Sequence, residues 1–138
     1  MKNIVLFIIL LLSVNFSFAQ TIYVNVENLN DNKAVLSSLS GEKISFVDSV
    51  SAINKKEFNF SLDNRQSGIY RLAFNSKTWL DFIYDNEDIE IKTDANNIID
   101  SLKVVHSESN KIYCEFIKLN KEYKTKSELL QMDFLNFR

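Results

Sequence analysis

The chain contains no proline, two glycines, one cysteine and one histidine among its 138 residues. A single cysteine excludes an internal disulfide framework, a thiolate metal cluster and a Cys-x-x-Cys redox pair within these residues. The glycines, Gly41 and Gly68, are too far apart to form a glycine-rich phosphate loop. The formal net charge of −2 provides no basic surface, so a nucleic-acid partner is not expected.

The length corresponds to one domain, and the 46% hydrophobic content excludes wholesale disorder.

Patterns typical of catalysis are scarce. His106 follows Val104 and Val105 at the end of a predicted strand, and no metal ligands cluster near it in sequence. No Gly-x-Ser-x-Gly nucleophile elbow occurs. The sequence therefore predicts a protein that is not an enzyme and that uses no cofactor or metal.

The first 19 residues have the layout of a secretory signal peptide. Lys2 precedes an unbroken apolar run, 4–12, and Ser17 and Ala19 suit a cut after Ala19. That run is too short to span a bilayer, which needs about 20 apolar residues. The alternative is an uncleaved membrane anchor. No cysteine lies near the cut, so lipid attachment is not expected. The predicted product is exported and has no membrane span after cleavage.

From 20 to 106 the apolar residues alternate with polar ones, which is the period of a strand with one buried face. Short strands at this spacing predict a mainly β fold, an antiparallel β-sandwich or partly open barrel. Because proline is absent, turns are expected at Asn and Asp residues, and at Ser40-Gly41. The predicted apolar positions are Ile22, Val24, Val26, Ile44, Phe46, Phe58, Phe60, Leu62, Tyr70, Leu72, Phe74, Leu80, Phe82, Tyr84, Ile89 and Ile91.

After His106 the period changes to that of a helix. Ser107 or Ser109 can cap an amphipathic helix, and the segment 107–138 is predicted as a helical tail. The stripe predicted to pack on the sheet or on a neighbouring helix contains Ile112, Phe116, Leu119 and Tyr123, widened by Tyr113 and Ile117. The last ten residues are also rich in apolar side chains. They are expected either to fold back on the sandwich or, as we favour, to meet a surface in residues that are absent.

Cys114 falls on the side of this helix away from the predicted stripe, near several lysines. Lysines one turn away raise the reactivity of a thiol, so one hypothesis is a redox-active or dimer-forming cysteine. The other is an incidental free cysteine, partly shielded by another element, and the lack of a resolving cysteine favours it.

Two further groups of residues are candidate binding features. Trp79 and Tyr84, with Tyr70 and Tyr23, could form an aromatic platform for a carbohydrate, although aromatic residues at strand spacing are more often core residues. The acidic run Asp85-Asn86-Glu87-Asp88 could hold a cation weakly, but without the spacing of a calcium loop it is interpreted as a hairpin turn.

The order of these motifs resembles a known family. The stretches GEKISFVDSV, EFNFSL, SGIYRLAF, DFIYDNEDIEIKTD and DSLKVVHSESNKIYCEFIKL are similar to the domain that precedes the thioredoxin domain in exported thiol-disulfide oxidoreductases of Gram-negative bacteria. The resemblance covers about residues 21–123. It implies a β-sandwich of unknown function in the periplasm or cell envelope. Lys55-Lys56-Glu57 stands where that family often has a turn glycine.

The resemblance also implies what lies outside this chain. A thioredoxin-like domain with Cys-x-x-Cys, in the same or an adjacent chain, is the expected partner, and the tail would begin the linker to it in a truncated protein. No catalytic residue of the family can be transferred to this sequence. The expected function is a non-catalytic accessory domain for substrate recruitment, positioning or self-association as a homodimer. The alternative is a free-standing envelope binding module for a glycan or protein.

Overall fold

The computed structural model describes residues 19–137, so the predicted signal segment lies almost entirely outside the described residues. Within this range two helices and eight strands follow one another, and the C-terminal helix is the longest of these elements. The elements in chain order are β1 (Ile22–Glu27), β2 (Lys33–Ser40), β3 (Lys43–Ser51), β4 (Glu57–Phe60), β5 (Gly68–Ala73), β6 (Trp79–Tyr84), β7 (Ile89–Asp94), α1 (Ile98–Ser101), β8 (Lys103–His106) and α2 (Glu108–Asn136).

The strands form two four-stranded sheets, which we call sheet A (order β4-β1-β7-β8) and sheet B (order β3-β2-β5-β6). All neighbours are antiparallel except β1 and β7, which run parallel in the register Ile22 to Ile89. The prediction of a mainly β sandwich is therefore confirmed, and the described strands do not close into a barrel. The parallel pair was not predicted, because alternation in sequence does not reveal which strands become neighbours.

The core lies between the sheets and is filled by the residues that alternate along the strands. Sheet A contributes Ile22, Val24, Val26, Phe58, Ile89 and Ile91, and sheet B contributes Leu36, Leu72, Leu80 and Phe82, all nearly inaccessible to water. Burial of each large apolar side chain stabilises the fold by about 1.5–3 kcal/mol. The prediction was wrong on β3, where Ile44 and Phe46 lie on the exposed outer face of sheet B.

Asparagine takes the turn positions, as the lack of proline and glycine predicted. Asn28, Asn64 and Asn86 have positive φ angles of 56°, 61° and 66°, a conformation that asparagine tolerates better than most residues. In the β2–β3 hairpin, Ser40 pairs with Lys43, so the two loop residues begin at Gly41, one residue later than predicted. Gly41 has a φ of 60°, which glycine adopts without steric cost.

Helix α2 begins where the sequence predicted but docks on the opposite face. The hydroxyl of Ser107 accepts the backbone N–H of Asn110 and caps the helix. The face that meets β6, β8 and α1 carries Asn110, Cys114 and Ile117. Of the predicted packing stripe, Ile112, Phe116, Leu119 and Tyr123 are exposed, which corrects that prediction, and only the flanking Tyr113 and Ile117 are partly buried. Among the described residues, no helix combines the length and the apolar character needed to cross a membrane.

Candidate functional site

A groove of about 420 Å³ runs between the outer edge of β6 and the two helices. Its floor is formed by the strand segment 77–81 and one end by the loop residues 95–97. Its far wall is made by α1 and by Tyr113, Ile117 and Lys121 of α2. We call it the β6 groove. Its volume falls within the range of sites that hold small ligands or short peptides.

Trp79 is the most exposed large apolar side chain on the floor of the β6 groove, with 42% of its surface accessible. The Arg71 guanidinium lies 4.9 Å from its ring centroid, a cation–π contact that fixes the orientation of the indole. Arg71 and Asp81 face each other across β5 and β6 and form a bidentate pair, with N–O distances of 2.6 and 2.7 Å. The Asp81 carboxylate, through that hydrogen bond, raises the pKa of Arg71.

Tyr113 reaches from α2 towards the same charged pair. Its burial, and secondarily the negative charge of Asp81, raise its pKa, while Arg71 acts in the opposite direction. The phenol therefore stays neutral at physiological pH. A neutral hydroxyl beside a carboxylate and a guanidinium can donate or accept a hydrogen bond, so this end of the groove suits a polar, uncharged group.

The edge of β6 is half covered by a side chain of α2. The side-chain oxygen of Asn110 accepts the N–H of Ile83 at 2.8 Å, and its side-chain nitrogen donates to the carbonyl of Ile83 at 2.7 Å. An amide paired with both backbone groups of one residue replaces the next strand of the sheet. Backbone groups alternate in direction along a strand, so the N–H and C=O of Trp79 and Asp81 point the same way as those of Ile83, into the groove.

Two lysines of α2 join it to the rest of the far wall. Lys118 donates to the backbone carbonyl of Leu102 at 2.7 Å, and Lys121 pairs with Asp100 at 2.6 Å. The hydrogen bond from Lys121 lowers the pKa of Asp100. These contacts use the last helical turn of α2 that meets the sandwich, and they hold α2 against the segment 100–102, so that the two helices form one wall.

Of the predicted aromatic platform, only Trp79 lies in the groove. Tyr84 is 1% exposed and sits in the core, where its ring packs edge to face on Tyr70 at 6.1 Å between centroids. The proposed pairing of Trp79 and Tyr84 on one ligand face is therefore wrong. The two residues are five positions apart, so they point to opposite faces of β6.

Cys114 is also placed differently from the prediction. It is 7% exposed, and its thiol lies 3.7 Å from the carbonyl of Leu102 on the docked face of α2. Cys114 and the apolar stripe do lie on different sides of α2, as predicted. The side that packs on the sandwich is the one that carries Cys114, which was not predicted. Three features fix the helix rotation: the Asn110 amide, the Ser107 cap, and the hydrogen bond from Ser109 to Asp85.

The acidic run Asp85–Asp88 connects β6 of one sheet to β7 of the other, so it is a crossover between sheets, not a hairpin. Asp85 and Glu87 accept hydrogen bonds from Ser109 and Ser107 at the start of α2, where a helix dipole favours negative charge. Asp88 accepts the N–H of Thr21. Within residues 19–137, no three His, Cys, Asp or Glu side chains are placed to hold a metal ion.

Sequence reasoning missed the groove residues Arg71, Asp81, Tyr113 and Asn110. In sequence, Arg71 and Asp81 are only polar residues that alternate with apolar ones. Their opposite charges were a usable signal, since such a pair stabilises neighbouring strands when the two residues face each other. The pairing of β5 with β6 was needed to see it.

Residues 20–113 match the family model described as a domain of unknown function, DUF4369. The match covers more than half of the chain and includes β1 to β8 and the first residues of α2. The chain therefore belongs to the DUF4369 family. Searches of curated proteins and of solved structures found no match.

Proposed function

We propose that this DUF4369 domain is an exported, non-catalytic accessory domain that recruits or positions an extended polypeptide segment in the β6 groove. The observation that carries the proposal is the open edge of β6 at Trp79 and Asp81, facing a helix across a groove of peptide size. The peptide would add to sheet B as a short extra strand.

Main-chain hydrogen bonding supports a peptide as the ligand. An extended peptide can pair with the N–H and C=O groups of Trp79 and Asp81, and such strand addition gives affinity that depends little on sequence. The Asn110 amide already satisfies Ile83, so the added strand would end at that residue. Trp79 and Ile117 would contact apolar side chains of the peptide, which supplies modest selectivity.

The resemblance to domains that precede thioredoxin-like domains suggests where the bound polypeptide comes from. In that setting the polypeptide in the groove would be a substrate held for a redox domain in the same or an adjacent chain. Cys114 supports a non-redox role, because it is buried and its thiol contacts the Leu102 carbonyl. The signal-like segment at 1–19 supports export to the periplasm or cell envelope.

A glycan is the second candidate ligand, for a free-standing envelope module. The half-exposed indole of Trp79 favours it, since sugar rings stack on such faces, and Asn96 and Asn97 line the groove as hydrogen-bonding groups. One face of the indole is already occupied by Arg71, which leaves less surface for stacking. The peptide hypothesis uses both the indole and the strand edge and is therefore preferred.

The experiment is a titration that follows Trp79 fluorescence, because Trp79 is the only tryptophan in the chain. The probes are a reduced, carboxymethylated polypeptide, which stays extended, and a series of soluble cellulose and chitin oligosaccharides. We expect a saturable change with the polypeptide and none with the sugars. A peptide of the same sequence with alternate amides N-methylated should bind at least about tenfold more weakly, because it cannot pair with a strand edge.

Variants separate the groove from the rest of the outer face. By calorimetry, Trp79→Ala should weaken polypeptide binding at least about tenfold, and Phe46→Ala, an exposed aromatic residue on the far strand of the same sheet, should leave it unchanged. Saturable binding of a sugar that Trp79→Ala abolishes would favour the glycan candidate. Polypeptide binding that survives Trp79→Ala and N-methylation would refute the groove as the site.

A further inference from the structure

Helix α2 carries a second surface that the proposed function does not use. Five apolar residues of α2, continued by Phe137 directly after the helix, lie along the side that faces away from the sandwich, with exposed fractions from 62% at Ile112 to 94% at Phe137. We call this set the outer stripe. It consists of Ile112, Phe116, Leu119, Tyr123, Leu130 and Phe137.

The spacing of the outer stripe is that of a helix-pairing seam. The separations are four, three, four, seven and seven residues, so all six residues fall on two positions of one seven-residue repeat. A repeat of this kind places apolar side chains along one side of a helix, where they pack between those of a facing helix. We propose that the outer stripe pairs with the outer stripe of a second copy of this chain, in antiparallel orientation.

The available area matches what a stable dimer requires. The aromatic residues bury about 150–250 Å² each when fully enclosed, and Phe116, Tyr123 and Phe137 are 62%, 75% and 94% exposed. With the three aliphatic residues, the stripe offers about 700 Å² per chain before flanking side chains are counted. A standard specific interface buries about 800 Å² per partner.

The charges within the seam decide the orientation. Lys126 and Asp133 occupy the repeat position of Ile112 and Leu119 in the next two repeats, one between Tyr123 and Leu130 and the other between Leu130 and Phe137. A parallel pair would place Lys126 opposite Lys126 and Asp133 opposite Asp133, and like charges facing each other destabilise such a seam. An antiparallel register that sets Leu119 against Leu130 separates the like charges: Lys126 then faces the ring of Tyr123, a favourable cation–π arrangement, and Asp133 faces Phe116.

The shape of the molecule suits the same arrangement. Lys121, through Asp100, is the last helical residue with a hydrogen bond to the sandwich, and α2 continues to Asn136. The projecting part is about 22 Å long at 1.5 Å per residue. In an antiparallel pair the projecting part of one copy covers the docked part of the other, and the two sandwiches lie towards opposite ends of the helix pair.

The test is sedimentation equilibrium of the full chain, expressed with its N-terminal segment so that the host performs any processing. We expect a dimer that dissociates on dilution. Leu119→Glu should raise the dissociation constant at least about hundredfold, because two buried leucines per dimer are replaced by charges. Thr125→Glu adds the same charge to an exposed position on the other side of α2 and should change it less than about threefold.

Both variants are on the exposed helix surface, so circular dichroism and Trp79 fluorescence should confirm that each remains folded. A chain that stays monomeric up to about 1 mM overturns the proposal, whatever else then covers the stripe. Equal weakening by Leu119→Glu and Thr125→Glu also overturns it, since the contact would then not follow the stripe.

Disulfide trapping tests the orientation. In a Cys114→Ser background, chains with Leu119→Cys and chains with Leu130→Cys should cross-link to each other under mild oxidation and not to themselves. Efficient cross-linking of Leu119→Cys chains to one another would overturn the antiparallel arrangement.

Discussion

Replacement of Asn110 tests how helix α2 is held on the sandwich. Its side chain is 2% exposed and bonds to three groups: the N–H of Ile83, the C=O of Ile83 and the hydroxyl of Ser107. Asn110→Ala removes all three bonds and leaves both backbone groups of Ile83 without a partner at the strand edge. The backbone N–H of residue 110 is no substitute, because it already donates to the hydroxyl of Ser107.

The magnitude follows from the two backbone groups. A buried polar group left without a hydrogen bond costs about 1–3 kcal/mol. The Ile83 groups lie at an edge that water reaches in part, so we expect a total loss of about 2–4 kcal/mol in the free energy of unfolding. That is a large share of the roughly 5–15 kcal/mol that stabilises a domain. Asn120→Ala, on the exposed surface of the same helix, should change stability by less than about 0.5 kcal/mol.

Asn110→Asp distinguishes hydrogen bonding from packing. The aspartate has the same shape, still accepts the N–H of Ile83, and at neutral pH sets a negative oxygen against the carbonyl of Ile83. It should therefore be destabilised at pH 7 and partly restored near about pH 4, where the carboxyl gains a proton that it can donate. Urea unfolding of the three variants, followed by Trp79 fluorescence, measures these differences. A loss below about 0.5 kcal/mol in Asn110→Ala, or no recovery of Asn110→Asp in acid, would refute the reasoning.

Two further predictions concern the buried residues. The Cys114 thiol should resist a water-soluble thiol reagent in the native protein and react only as urea unfolds the chain; immediate stoichiometric labelling of the folded protein would contradict its burial. Burial raises the pKa of Tyr70 and of Tyr84 above the ordinary value of 10.0, so in alkali the unfolded chain loses these protons first. The contribution of these tyrosines to the free energy of unfolding should be fully present below about pH 10 and should be lost as the pH rises through their folded pKa values. Urea midpoints measured across pH should show this decline, and it should be smaller in Tyr84→Phe.

The strands of this protein were predictable because one face of each sheet is exposed to solvent, which makes apolar and polar residues alternate along the sequence. Alternation placed Ile22, Val24 and Val26 in the core correctly, and asparagine marked the turns at Asn64 and Asn86. Ile44 and Phe46 broke the rule, since both lie on the outer face of the edge strand β3. Hydrophobic alternation fixes only the period, and the strand neighbours decide which face is covered.

The helix shows why the candidate site was harder to predict. Its apolar stripe was the strongest signal in the tail, yet the docked face was chosen by Asn110, whose amide satisfies Ile83. A buried polar side chain in the right place can outweigh a row of apolar ones, because unpaired backbone groups are costly. Trp79 was recognised as a candidate, but its partners Arg71 and Asp81 depend on strand pairing, which a single sequence does not specify.

The parallel pairing of β1 with β7 has a consequence for how the chain acquires its fold. The strands of sheet B are all complete by Tyr84, and each pairs within that stretch, so this sheet can assemble from comparatively local hairpins. Strand β1 can pair with β4 on one edge, but its other edge must wait for β7, which begins at Ile89 near the far end of the domain. Closing so long a loop is slow. Until it happens, that edge of β1 stays unpaired, so the interval between emergence of β1 and arrival of β7 is when the chain is most exposed to aggregation or to a chaperone.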